Sequence, residues 1–286
     1  MNMLKNIKYF PVDPDILKVV GGEGSQVFSN GIFSMVVNGS PIHGNLIRAG
    51  NFYHIPEGRI LIVLEGRAKV HLNLEEHQIE KGTVVVTAPD NIMEMKYCSE
   101  DMCVIGIVLK DQIFVQENII QKTTPEEYEE ILRMAFLLWD VAHHVPFRND
   151  TVCRMVEAIV SNIQYIHKEK QNSIQTPPTR GQLLFQQFKT LVSKHCEQER
   201  NIPFYAGLLH VTPHHLSSVI SKTSGQSVMY WINRAVTLHA KMLLKTTGLM
   251  GYEIADRLNF PNAPAFNKFF KRETGMTPKQ FQSSGT

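Results

Sequence analysis

At 286 residues, with 43% hydrophobic and 20% charged side chains, the chain is too long for one small module and too apolar for disorder to be the default. No apolar run reaches the ~18 residues needed to span a bilayer, Met1–Phe10 has no signal-peptide pattern, and Cys98, Cys103, Cys153 and Cys196 form no Cys-x-x-Cys pair, so a reduced, cytoplasmic chain is expected, not a disulfide framework or a zinc site. The net charge of +2 hides an asymmetry: residues 180–286 carry 13 Lys and Arg against 5 Asp and Glu, a net of +8, and residues 1–179 carry −6, so the second half suits a polyanion.

Residues up to about Lys110 read as β. Short apolar or alternating runs recur at Gly31–Val37, Ile60–Leu64, Ala68–Leu72, Gly82–Ala88 and Cys103–Leu109, divided by turns such as Glu65-Gly66-Arg67 and Glu80-Lys81-Gly82. That spacing predicts a sandwich or a small barrel. At Thr124-Pro-Glu-Glu127 the pattern switches to a helix start: Thr at the cap, Pro at the first helical position, Glu three residues past the cap. Two helical stripes follow, Tyr128, Ile131, Leu132, Ala135 and Trp139, then Val152, Met155, Val156, Ile159, Val160 and Ile163, with Pro146 between them. They predict a helical hairpin whose apolar surface needs a sheet face or a second subunit to cover it; dimerisation through the hairpin is the expectation. Gln171–Thr179, polar with two prolines, reads as a linker. The expected organisation is a β domain over 1–115, a hairpin over 116–170, a linker over 171–179 and an all-helical domain over 180–286.

The helical part repeats itself. Ala206-x-x-Leu209 leads to Gly225, and Ala255-x-x-Leu258 leads to Gly275; the two alanines lie 49 residues apart. In each copy a short helix, Phe204–Leu209 or Tyr252–Leu258, passes through a tight turn into a second helix closed by glycine, which adopts the left-handed end conformation at no steric cost. Thr212-Pro213 starts the second helix of the first copy, and that of the second copy starts near Pro264. Leu216, Val219 and Ile220, like Phe266, Phe269 and Phe270, form its buried face. A long helix from Val228 to about Lys245 separates the copies. One such pair is a weak signal; two in tandem in a basic region, over 203–225 and 251–275, are a strong one for helix-turn-helix units.

The segment Glu253-Ile-Ala-Asp-Arg-Leu-Asn-Phe260, with Asn262, Phe266 and Phe269-Phe-Lys-Arg-x-Thr-Gly-Met-Thr-Pro278, resembles the signature of AraC/XylS-type transcription regulators over about Gln182–Phe281. The resemblance implies two recognition helices entering successive major-groove segments about one turn of double-stranded DNA apart. Its base-facing positions fall on His214, Ser217 and Ser218 in the first unit and on Ala263, Ala265, Asn267 and Lys268 in the second. The chain departs from the pattern at Ser218, where relatives often have arginine, at Pro264, usually serine, and at Met250, where the helix cap is usually Ser or Thr. The resemblance also admits RNA polymerase as a contact.

The N-terminal pattern, Ile60-Leu-Ile-Val-Leu-Glu-Gly66 followed by Lys81-Gly-Thr-Val-Val-Val-Thr-Ala-Pro89, resembles the cupin-like effector domain of such regulators, which implies a β-barrel with a small-molecule pocket. Catalytic cupins place His-x-His-x4-Glu-x6-Gly around a metal. Anchored on Gly66, those positions are Phe52, His54 and Arg59, and the later histidine position falls near Met93. One imidazole beside a guanidinium does not hold a divalent cation, so no metal, cofactor or catalytic residue is expected. Tyr53, His54, Arg59 and His71 are the candidate effector contacts. The overall expectation is a homodimeric, effector-responsive DNA-binding regulator that is not an enzyme; the rivals are a constitutive binder whose N-terminal domain only dimerises and a cupin enzyme fused to a DNA-binding domain.

Overall fold

The computed structural model describes residues 25–30, 33–40, 49–109, 118–173 and 179–283. The signal-peptide reading at Met1–Phe10, the start of the strand read at Gly31 and most of the linker lie outside them. Two compact units form, one from the strands and the first two helices, the other from the helices that follow.

In the first unit, strands β1 (Gln26–Ser29), β2 (Phe33–Gly39), β9 (Cys103–Leu109), β4 (Arg59–Glu65), β7 (Thr83–Thr87) and β10 (Ile119–Lys122) make one antiparallel sheet in that order. A second has the order β3 (Phe52–Ile55), β8 (Asn91–Cys98), β5 (Arg67–Leu72), β6 (Glu75–Glu80). No ladder joins the two sheets among the described residues, so the N-terminal part is a two-sheet sandwich where the resemblance implied a closed barrel. Two of the corners at which the chain changes sheet are Gly66 (φ 81°), between β4 and β5, and Gly82 (φ 78°), between β6 and β7. These two brace each other, since Lys81 N–H donates to Gly66 O at 3.2 Å and Gly82 N–H to Val63 O at 3.1 Å. A side chain at Gly66 would sit 2.6 Å from the Met102 backbone, so only glycine turns there.

Strand alternation sorts the core. Ile60, Ile62, Val84, Val86, Ile105 and Ile107 point to one side of the larger sheet, and Val63, Val85 and Val104 point to the other, against Tyr53, Ala68, Val70 and Met95 of the smaller sheet. Helices α1 (Pro125–Ala142) and α2 (Asn149–Ser173) cover the first side. α1 begins with the expected capping box: Glu127 N–H donates to Thr124 Oγ1, and Thr124 N–H to Glu127 Oε2 at 2.7 Å. Ile131, Ala135, Val156, Ile159 and Ile163 are buried beneath these helices in one core with the sheet. Of the two covers expected for the hairpin stripes, a sheet face or a second subunit, the sheet is the one observed; exposed apolar side chains of the hairpin include Phe136, Leu137 and Tyr165. α2 also continues through Gln171-Asn172-Ser173, which read as linker.

Between residues 179 and 283 the regular elements are all helices: α3 (Arg180–His195), α4 (Ile202–Leu208), α5 (Pro213–Ser224), α6 (Val228–Thr246), α7 (Gly251–Arg257), α8 (Ala263–Thr274) and α9 (Pro278–Ser283). α4 starts two residues earlier than its apolar pattern predicts because Asn201 caps it, accepting from Phe204 N–H at 2.9 Å.

Candidate nucleic-acid interface

The internal repeat extends to single hydrogen bonds. His210 and Asn259, 49 residues apart, are the turn residues of the two units and share a left-handed backbone, φ 54° in each. The amide after each reaches back five residues, Val211 N–H to Ala206 O at 3.0 Å and Phe260 N–H to Ala255 O at 2.8 Å. The buried alanines Ala206 and Ala255 leave room for this turn. Gly225 (φ 70°) and Gly275 (φ 78°) close α5 and α8. Before each glycine a hydroxyl bonds back one turn, Ser224 Oγ to Ile220 O at 2.8 Å and Thr274 Oγ1 to Phe270 O at 2.7 Å.

α5 is capped by Thr212, whose hydroxyl accepts from His215 N–H at 3.1 Å. Leu216 and Ile220 are buried, while His214, His215, Ser218, Ser221 and Lys222 are exposed on the opposite face. Ser217 is half-buried and donates its hydroxyl to Pro213 O at 2.8 Å, which leaves only its acceptor lone pairs for an outside partner. α8 is capped by Asn262, which accepts from Ala265 N–H at 2.9 Å. Phe266, Phe269 and Phe270 are buried; Asn267, Lys268, Lys271 and Arg272 are exposed; Ala263 and Ala265 are half-buried at the start of the helix. Arg272 is turned onto Glu273 at 2.6 Å, so the outward cations of α8 with the freer geometry are Lys268 and Lys271. Each helix therefore presents a polar or basic ridge from a rigid apolar base, the form that enters a major groove.

At the start of α7, Met250 supplies no side-chain acceptor, and the only reciprocal contact is Met250 N–H to Glu253 Oε2 at 2.7 Å. The aromatic residues are structural. Phe260 lies 5.4 Å from Phe266 and 5.1 Å from Phe269, and Phe270 lies 5.5 Å from Phe281.

The structure divides the four candidate effector residues of the N-terminal unit. Tyr53 is buried between the sheets, and Arg59 is buried on the same side of its strand as Val63. Burial lowers the Arg59 pKa to about 10 even though Glu57 lies 3.3 Å away and favours the charge. His54 alternates to the other side of β3, 3.4 Å from Asp90. His71 also faces away from the inter-sheet core, 3.0 Å from Glu76 and 3.4 Å from Glu94, in an outer charge network that includes Lys69 and Lys96. The set is therefore not one cluster.

Sequence reasoning missed two participants. Thr87, paired with Arg59 across the β4–β7 ladder, is buried with a hydroxyl that has no hydrogen-bond partner among the described residues; its in-facing parity with Val85 was the available signal. Arg200 reaches carbonyls 58 and 59 residues later, which no local pattern announces.

The family described as "Helix-turn-helix domain" matches residues 205–284. The HTH-type transcriptional activator RhaR of Escherichia coli K12 is 22% identical over 142 residues, 49% of this chain and 49% of that protein, so the chain spans about half the length of the curated relatives it matches. Among solved structures, the C-terminal domain of AraT, a response regulator from Geobacillus stearothermophilus, is similar at 26% identity over 38% of this chain and 94% of that one, with a TM-score of 0.35. Unsaturated fatty acid bound ToxT from Vibrio cholerae is similar at 14% identity over 89% and 96%, with a TM-score of 0.43. With its two glycine-closed units in the matched segment, the C-terminal region is a helix-turn-helix domain of the AraC/XylS type.

Proposed function

We propose that the chain is a sequence-specific DNA-binding transcription regulator that reads two successive major-groove segments with α5 and α8 and whose affinity is set by a small-molecule effector. The observation that carries the DNA reading is the outward face of each helix on its apolar base, with His214 and Ser218 exposed beside half-buried Ser217 on one and Asn267 and Lys268 exposed beside half-buried Ala263 and Ala265 on the other, within a segment of net charge +8. Asn pairs bidentately with adenine and Lys donates to guanine, each good contact contributing about 1–3 kcal/mol of discrimination. In a selection from random DNA, Asn267→Ala and Lys268→Ala should each relax preference at particular base pairs in one half of the site. If Lys268 holds only phosphate, Lys268→Ala weakens all sequences alike and lowers the salt slope by about one. Both variants recovering the wild-type motif would refute base readout by α8.

The effector reading rests on Tyr53, Arg59 and Thr87 sharing the inter-sheet side. A buried guanidinium, phenol and hydroxyl suit a small molecule with an anionic or carbonyl group. A ligand changes the output only if it binds two arrangements of the protein with different affinity. Homodimerisation belongs to this reading, with the exposed Phe136 and Leu137 of α1 as its contacts in place of the buried stripe, and so does contact with RNA polymerase. A second reading, a constitutive binder, is favoured by the apolar side chains of Val63, Val70, Val85 and Met95 that fill much of the inter-sheet core. A DNA affinity that no small molecule alters would decide for it.

A further inference from the structure

The segment between α3 and α4, residues 196–201, holds the second helix-turn-helix unit as well as leading into the first. Arg200 donates through Nη2 to the carbonyls of Leu258 and Asn259, and its guanidinium lies over the Phe260 ring, 3.8 Å from the centroid. Gln198 Nε2 donates to Arg257 O at 3.2 Å, and Asn259 Nδ2 donates back to Gln198 O at 2.8 Å. Glu197 accepts from His239 Nδ1 of α6 at 2.9 Å and stands 4.0 Å from Arg257 Nε. On the other side, Tyr205 of α4, fully buried, donates its hydroxyl to Glu199 O at 2.7 Å.

The last carbonyls of a helix have no donors within the helix. Those ending α7 receive theirs from a segment fixed to the first unit. The left-handed turn at Asn259, which aims α8, is thus gripped on its carbonyl, its side chain and the ring of the next residue. The covalent path between the units runs through α6 and the short stretch 247–250. α8 also packs on α6, with Phe269 in one buried core with Ile232 and Val236. The contacts at the far end of α7 add a polar, directional attachment to that apolar one.

We propose that Arg200 is a positioning residue that fixes the separation and phase of the two recognition helices, and so sets the operator spacing the chain accepts. The inference rests on the reading that α5 and α8 both enter DNA. A guanidinium suits the task because it is planar, donates to two carbonyls at once and stacks on a ring; an ammonium does not do all three.

The test uses the full chain and a set of operators, built on the selected wild-type site, in which the spacing between the two half-elements is changed by one or two base pairs. Wild type should lose about tenfold or more in affinity at a change of one base pair, the size of losing one good base contact. Arg200→Ala and Arg200→Lys should reduce that penalty to about threefold or less, with circular dichroism showing the helices intact. Should Arg200→Ala fail to fold, Arg200→Lys and Gln198→Ala carry the test. A role confined to stability would lower melting temperature and weaken all operators equally. Folded variants that keep the wild-type spacing penalty therefore overturn the proposal. A wild type with no spacing preference overturns the two-helix reading beneath it, and the proposal with it.

Discussion

The first and second helix-turn-helix units share a backbone plan and differ in what holds it. The first is furnished from within: Asn201 caps α4, Thr212 caps α5, and both use their own side chains. In the second, α7 starts at Met250 with no side-chain cap, and its last carbonyls are satisfied by Arg200 and Gln198 from outside the unit. What it has instead is aromatic mass, with Phe260, Phe266, Phe269, Phe270 and Phe281 in ring contact at 5.1–5.8 Å. Two copies of one design can therefore differ in self-sufficiency while presenting similar faces. Apolar packing and borrowed hydrogen bonds offset missing local ones.

The largest break in that comparison is expected from Phe270→Ala. The ring is fully buried and touches Phe266 and Phe281, so truncation should cost about 3–5 kcal/mol. If the second unit depends on this cluster, amide exchange in α7 and α8 should accelerate far more than in α4 and α5. A loss below about 1 kcal/mol in denaturant melts would show the cluster to be plastic and the comparison wrong.

His239 tests the link between the units at intermediate size. Burial disfavours its charged form, but Cys196 and Glu197 favour it more strongly and push its pKa up to about 10. The folded pKa lies above the ordinary 6.5, so the contribution of the pair is complete below about pH 6.5 and is lost as pH rises through about 10. A hydrogen bond to a charged group is worth about 1.5–3 kcal/mol. The stability difference between wild type and His239→Gln should therefore shrink by about that amount between pH 7 and pH 10.5. A difference independent of pH would mean the ring is neutral in the folded chain.

Much of this was legible in the sequence where a local rule operates. Thr124 and Glu127, Thr212 and Pro213, and Gly225 and Gly275 each mark a helix end by their own chemistry, and the Phe266, Phe269 and Phe270 spacing marks the inward face of α8. Where a partner lies far along the chain the sequence is silent. The stripe of Ile131, Val156 and Ile163 says that something apolar must cover it, but periodicity does not distinguish a sheet of the same chain from a second copy. β6 escaped because Glu75–Glu80 is an edge strand, polar along most of its length. His71 was chosen by residue type, although its neighbours Ala68, Val70 and Leu72 already assign it to the outward face. Arg200 binds main-chain carbonyls, which carry no residue identity to recognise.

The smallest expected effect sharpens the comparison instead of breaking it. If the second unit is under-capped, a cap should stabilise it. Met250 has the extended backbone of a capping position, φ −74° and ψ 155°, and Glu253 already returns its carboxylate to the Met250 amide at 2.7 Å. Met250→Ser would supply the missing half, an oxygen facing Glu253 N–H. Two things limit the gain. Glu253 N–H already donates to Met250 O at 3.0 Å, so the new acceptor shares a donor that is not an orphan. The Met250 side chain is also 63% exposed, so little packing is lost or regained by removing it. The gain should therefore fall at the low end of the range for a cap, about 0.5 kcal/mol, whereas Thr212→Ala in the first unit should cost about 1 kcal/mol. A melting temperature that rises slightly for Met250→Ser and falls for Thr212→Ala fits a second unit short of a cap. A fall for both would mean that Met250 stabilises the start of α7 through its side chain, and the asymmetry between the units would have to lie in the borrowed carbonyl contacts alone.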